Sequence, residues 1–163
     1  MGEANQLRDE VLRYLSAHHS MTLATTANGH PWAAAVFYVH DERLNLYFLS
    51  DDKTRHCREL QRQPLVAATV NDDPDDWHKI KGIQVEGHAR KVNSPIEKTK
   101  ALTLYLGKFP FVKGFISSPL AMLSRVAISG KAFPVDVYKV VPDRVFYLDN
   151  EKGFSHREEL VLE

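Results

Sequence analysis

The sequence has a single cysteine, Cys57, so no internal disulfide can staple the fold, and a reducing compartment suits the chain. It has no apolar run near the roughly 20 residues that cross a bilayer, the longest candidates being broken by Lys, Gly or Pro. The first twenty residues form a charged amphipathic pattern without the apolar core of a secretory signal. A soluble protein of the cytoplasm is expected. Net charge is missing too: 21 Lys and Arg balance 21 Asp and Glu, so no overall field draws the chain to nucleic acid or an anionic membrane. Any anion must be bound locally. No repeat, low-complexity tract or linker divides the 163 residues, 44% of them hydrophobic; one domain over 1–163 is the expectation.

What is present reads as strands with helical additions. Leu7, Val11, Leu12, Tyr14 and Leu15 recur at helical spacing over residues 5 to 18. "MTLATTA" and "HPWAAAVFYV" flank Asn28-Gly29, a hairpin signal, and "LNLYFLS" follows a polar turn. Lys53 to Gln63 reads as a helix closed before Pro64, "LVAATV" as a buried strand and "NDDPDD" as a loop. In "IKGIQVEGHARKV", Ile83, Val85 and Ala89 alternate with polar residues, and Gly82 and Gly87 allow bulges. Pro95 opens a helix through "IEKTKALTLYLGKF"; residues 110 to 132 read as helical in pieces, around Phe115 and from Leu120 to Val126. "VDVYKVV" and "RVFYLDN" read as a last hairpin turning at Pro142-Asp143. About six short-linked strands imply a small antiparallel barrel with flanking helices.

The stretch "SDDKTRHCREL" places Lys53, Arg55 and His56 in the first turn of a helix, where the macrodipole disfavours cations. Either Asp52 caps the helix and the cations are simply solvated, or Ser50, Lys53, Thr54, Arg55 and free N–H groups cradle a phosphate. On these residues alone the two readings stand level. Asp51 and Asp52 oppose the second unless they face away or cap the backbone.

Other constellations favour plain roles. Asp72, Asp73, Asp75, Asp76 and His78 lack the glycine and distal glutamate of a calcium loop, and no metal is expected. Cys57 reads as a packed helix residue and the scattered histidines as surface or capping groups. Trp77 serves either to cover a flat cofactor or to anchor its loop. "FPFVKGF", Phe109 to Phe115, reads as packing at a dimer interface in preference to a lid.

The order of "NGHPWAAAVFYVHDERLNLYFLSDDKTRHCRELQRQPLVAATV" and "IKGIQVEGHARKV" resembles the FMN-binding split barrel of the pyridoxamine 5'-phosphate oxidase-like superfamily. "LSDDKTRH", "VAATVND-P", "IKGIQVEG" and "DNEKGFSHR" are most similar to its YhbP-like branch. The resemblance implies a mainly β, six-stranded antiparallel split barrel with flanking helices, and a homodimer with FMN sites at the subunit interface. It implies that Ser50, Lys53, Thr54 and Arg55 bind the FMN phosphate while Ala34, Ala35, Val36 and Phe37 lie along the isoalloxazine edge. Gly82, Ile83 and Gln84 would approach from the partner chain, Arg157 would reach the flavin near its N1 and O2 edge, and His156 lies beside it.

The sequence departs from the oxidases in three places. Leu148 stands where they carry a tryptophan, Gly82 where they use a flavin-contacting glutamine, and their Arg-x-His substrate pair is unmatched before His156. Vitamin B6 oxidation is therefore not expected. The expectation is an FMN-dependent oxidoreductase of an unknown small molecule, its catalytic residues unassigned. The alternative is a non-catalytic protein that binds or senses with flavin, haem or a deazaflavin.

Overall fold

Asn28 and Gly29 hold φ angles of 52° and 78°, the two left-handed positions that a tight hairpin turn requires. They join the first strands of the structure, a computed structural model that describes residues 3–114, 127–128, 131–132 and 135–162. Helix α1 (Glu3–Ala17) comes first, then β1 (Ser20–Ala27), β2 (His30–His40), β3 (Leu46–Asp51) and the short helix α2 (Arg55–Leu60). Strands β4 (Leu65–Asn71) and β5 (Lys81–Lys91) precede α3 (Pro95–Lys108). The two-residue strands β6 (Ala127–Ile128) and β7 (Lys131–Ala132) form a separate small sheet, before the long β8 (Val135–Asp149) and β9 (Arg157–Leu160).

The main sheet runs β3-β2-β1-β4-β5-β8-β9, and β3 pairs again with β8. Six antiparallel strands thus close a ring, and β9 adds a seventh. The first part of β8 pairs with β3 and its last part with β9, so one edge of a single strand serves two neighbours in turn. The architecture is a mainly β split barrel with flanking helices.

Alternation fills the ring: Met21, Leu23, Val66, Ala68, Val70, Ile83, Val85 and Val145 point inward and are buried. Each large aliphatic chain so buried contributes roughly 1.5–3 kcal/mol. A second cluster lies outside the ring, where Ala101, Leu102, Tyr105 and Phe109 of α3 and its end pack on Val39, Tyr47 and Val137. The Lys108 ammonium donates to the Leu15 carbonyl at 2.9 Å and lies 4.2 Å from the centroid of the Tyr38 ring. Burial pulls its pKa down to about 8. Asp41 organises the turn into β3 by accepting from the Arg43 and Asn45 backbone N–H groups, each at 3.0 Å.

The structure corrects several expectations. Pro142-Asp143 makes no hairpin, because both halves of β8 pair with the single strand β5. Glu86 faces Arg144 and Gly87 faces Pro142, so Asp143 is the extra residue of a bulge that also accommodates the proline's missing N–H. The final tail contributes β9. Helix α2 spans six residues from Arg55, with Thr54 and not Asp52 at its N-cap. Residues 110–114 form a 3-10 turn, while Phe115 and Leu120 to Val126 lie outside the described residues.

Opposite the bulge, a Cβ added at Gly87 would lie 2.2 Å from the Val141 carbonyl oxygen, a backbone atom with no side-chain freedom to yield. Gly87→Ala is expected to cost about 1–3 kcal/mol of stability through overpacking. Urea unfolding followed by circular dichroism checks this; an unchanged midpoint would contradict the close approach.

Candidate functional site

Strand β2 pairs with β3 only from Tyr38 to His40, opposite Phe48 to Leu46. Beyond Tyr38 the strands part: β3 stays with β8 as far as Asp51, and β2 stays with β1 back to His30. A cavity of about 410 Å³ occupies the gap. Its strand walls are Ala35, Val36 and Phe37 of β2 and Leu49 and Ser50 of β3, while α2 supplies His56. Tyr105, Phe109, Phe111 and Val112 close the other side. Strand β2 bonds β1 through the residues that alternate with Ala35 and Phe37, and no strand pairs with these two on the opposite edge, so their backbone groups face the gap. The Phe37 carbonyl accepts a hydrogen bond from the Tyr105 hydroxyl.

The cavity is apolar at one end and polar at the other. Phe37, Phe109 and Phe111 meet edge to face, with ring centroids 5.3 to 6.3 Å apart, and Phe37 and Phe111 are 54% and 60% exposed at the mouth. At the polar end the buried Ser50 Oγ lies 2.8 Å from His56 Nε2 and 3.2 Å from Thr54 Oγ1. The Thr54 hydroxyl donates to the Asp51 carbonyl at 2.8 Å. Burial holds His56 below the ordinary imidazole range, against the opposing pull of Glu59.

The acidic pair beside these residues is accounted for. Asp51 Oδ1 accepts from the Lys53 backbone N–H at 2.8 Å, and Asp52 accepts from Lys91 Nζ and the Tyr138 hydroxyl, each at 2.8 Å. One caps the turn; the other faces away. Lys53 remains exposed. Arg55 is drawn elsewhere: its Nε donates to Glu59 Oε1 at 2.8 Å, and its guanidinium lies 4.5 Å from the centroid of the Trp32 ring. Buried Glu59 also accepts from the Thr25 hydroxyl at 2.5 Å, and the Thr25 and Arg55 bonds hold its carboxyl below the usual range.

The remaining predicted residues lie across the sheet. A continuous row runs Ala35, Thr22, Thr69, Gln84, Phe146, Glu159, and strands are spaced by about 4.8 Å. Gln84 is therefore three strand spacings from the cavity wall of its own chain. Gly82 shares its strand, and Ile83 points into the barrel, fully buried. Arg157 pairs with Leu148 on the far side of the sheet, with His156 next to it and bonded to Glu158 at 3.0 Å. Trp77, half exposed in the Trp77–Lys79 turn, stacks on His78 and meets Phe154 edge-on at 5.3 Å.

No sequence signal assigned His56, Leu49 or Tyr105 to this site, while Phe111 and Val112 belong to the run read from the sequence as interface packing in preference to a lid. His56 stands six residues after Ser50, a spacing that a strand–turn–helix brings back to the same place. Phe109 is buried within this chain, whereas Phe111 rims the mouth and Phe115 lies outside the described residues. A larger cleft of about 610 Å³ is lined by Arg8, Arg43 and Lys139. There Arg8 donates to the Glu42 carbonyl and Lys139 to Glu97. Among the described residues no cluster of metal-ligating side chains occurs, and no helix is long and apolar enough to cross a membrane.

Comparison with known proteins meets this geometry. The family described as pyridoxamine 5'-phosphate oxidase matches residues 7–149, and the chain belongs to it. Within that family it is similar to UPF0306 protein YhbP of Salmonella paratyphi A, 30% identical over 146 residues that cover 89% of this chain and 86% of that one. A heme binding protein from Mycobacterium smegmatis superposes with a TM-score of 0.68 at 20% identity, over 93% of this chain and 57% of that one. A FAD-binding protein from Mesorhizobium loti does so with 0.61 at 15% identity, over 83% and 87%. At these identities the likeness is one of fold.

Burial also holds His40 below the ordinary imidazole range, with Lys108 adding to the effect. The folded chain then binds protons at His40 and His56 less readily than the unfolded chain, whose imidazoles titrate near about 6.5. The associated stability is complete above that value and is lost as the pH falls below it. Melting temperatures measured on either side should show a decline on acidification that is smaller in His56→Gln than in the wild type. An equal decline in both would contradict the assignment.

Proposed function

We propose that the chain binds FMN in the gap between β2 and β3 and works as a homodimeric, flavin-dependent oxidoreductase on a small molecule. The observation that supports this most directly is the convergence of Ala35, Val36, Phe37 and Ser50, read from the sequence as cofactor contacts, on one cavity. The donor set suits the group. Apolar walls offer a slot for a flat ring, the unpaired edge of β2 offers backbone donors and acceptors, and Ser50, braced by Thr54, offers a hydroxyl to a phosphate. Lys53, in the same turn and with its carboxylate neighbours otherwise engaged, supplies positive charge; Arg55 adds a longer-range cation from its seat on Trp32.

Bound FMN supplies hydride or electron transfer at its ring. The chain's part is to hold the ring against β2, exclude water with Phe37, Phe109 and Phe111, and aim backbone dipoles at its polar edge. Vitamin B6 oxidation is not proposed, since Gly82 and Leu148 stand where the oxidases carry other residues.

Distance supports the dimer reading: Gly82, Gln84, Trp77, His156 and Arg157 lie across the sheet from their own chain's cavity, as residues that serve a partner's site would. The outer face between them carries small side chains, Ala24, Ala33, Ala67, Thr22 and Thr69, that let two sheets approach. A second reading, haem or deazaflavin binding without turnover, draws on the Mycobacterium smegmatis likeness. The cavity's imidazole, His56, is engaged by Ser50 and Thr54, which favours a phosphorylated flavin over an axially ligated haem.

Heat release of the bound small molecule followed by mass spectrometry is expected to give the mass of FMN; haem or a deazaflavin would transfer the reading to the alternative. Bleaching of the flavin bands by NADH or NADPH distinguishes enzyme from sensor. Lys53→Glu, at an exposed position, should weaken FMN binding by about tenfold or more, the scale of a charge-assisted contact, and unchanged flavin content would remove Lys53 from the site. Light scattering after gel filtration is expected to show twice the mass of one chain; a monomer that still binds FMN would refute the shared interface.

A further inference from the structure

At the polar end of the cavity one hydroxyl has two possible partners. Ser50 Oγ is within hydrogen-bond reach of His56 Nε2 at 2.8 Å and Thr54 Oγ1 at 3.2 Å. Thr54 spends its own proton on the Asp51 carbonyl, so toward Ser50 it is an acceptor. The direction of the bond with His56 then decides what Ser50 offers the cavity. If Ser50 donates to His56, its hydrogen is turned into the protein. If His56 carries its proton on Nε2 and donates, Ser50 keeps its hydrogen for Thr54 or for a ligand oxygen.

We propose that His56 is the residue through which this cavity selects a phosphorylated flavin: by donating its Nε2–H to Ser50 Oγ it leaves the Ser50 hydroxyl hydrogen directed at a phosphate oxygen. The inference rests on the FMN reading above and adds to it a positioning residue. An anionic acceptor favours this arrangement, because it gains a donor at no cost to the Thr54–Asp51 bond. His56 acts as a neutral imidazole, kept so by burial, and leaves the charge of the site to Lys53. Its place is fixed by α2, whose first turn it occupies with its side chain buried against Phe48, ring centroids 6.2 Å apart.

The test compares FMN with riboflavin, which has the same ring and no phosphate, by quenching of flavin fluorescence on the full chain. The wild type is expected to prefer FMN. His56→Phe should weaken FMN by about tenfold, the scale of one hydrogen bond to a charged group, while riboflavin affinity stays unchanged. His56→Gln, whose amide N–H reaches where Nε2–H does, should restore FMN affinity to within about threefold. In the Ser50→Ala background, His56→Phe should add no further loss. If the Phe variant does not fold, His56→Asn, too short to reach Ser50, takes its place. The proposal is overturned if the Phe or Asn variant leaves FMN affinity unchanged or weakens both flavins alike, or if Gln fails to rescue. A wild type that binds neither flavin sinks the FMN reading and this inference together, whereas an FMN preference indifferent to His56 sinks this inference alone.

Discussion

The site lies where two neighbouring strands of one ring part, each held by its other neighbour. From Leu46 to Asp51, β3 is committed to β8, and from His30 to Phe37, β2 is committed to β1. Three residue pairs hold β2 and β3 together before they separate. The ring is closed through β8 and parts between β2 and β3, and the gap is lined by a free backbone edge and by side chains of two strands. Helix α3 and the turn after it fill one side of the gap and leave the other open.

Electrostatics around the gap are local, as zero net charge requires. The turn from Ser50 to Arg55 holds two carboxylates beside two cations, and each carboxylate is satisfied without neutralising Lys53: Asp51 by a backbone N–H, Asp52 by Lys91 and Tyr138. The difficulty of cations at a helix start is largely dissolved by geometry. The helix is six residues long and begins at Arg55, so Lys53 precedes it, and a macrodipole this short adds little. Arg55 has its own compensation in buried Glu59 and the face of Trp32. That arrangement ties α2 to β1 through Thr25 and to β2 through Trp32.

Local signals were legible wherever one element decided its own form. Asn28-Gly29, the alternation of Ile83, Val85 and Ala89, and Pro95 at the start of α3 all act through nearest neighbours. Pro142-Asp143 misled for the complementary reason: its turn chemistry is real, but eleven residues of β5 pair along both sides of it and convert the turn into a bulge. Within the site, Ala35, Val36, Phe37 and Ser50 were legible through family resemblance, because their strands carry the pattern. His56, Tyr105 and Phe111 were not, since what brings them to the gap is the parting of two strands, a tertiary event with no periodicity of its own. The direction of Arg55 was equally hidden, as Glu59 and Trp32 compete for it from different elements.

Strand β8 carries a further consequence for the order in which the molecule can be made. It supplies the pairing that joins residues 46–51 to residues 135–140 and also borders β5 and β9. A chain emerging from the ribosome can form the β1–β2 hairpin early, yet β3 and β5 each keep a bare edge until β8 arrives. Contacts so distant in sequence make assembly slow, and unpaired edges are where nascent β proteins stick to one another. Translation that stalls before β8 would release a sheet still open at both margins.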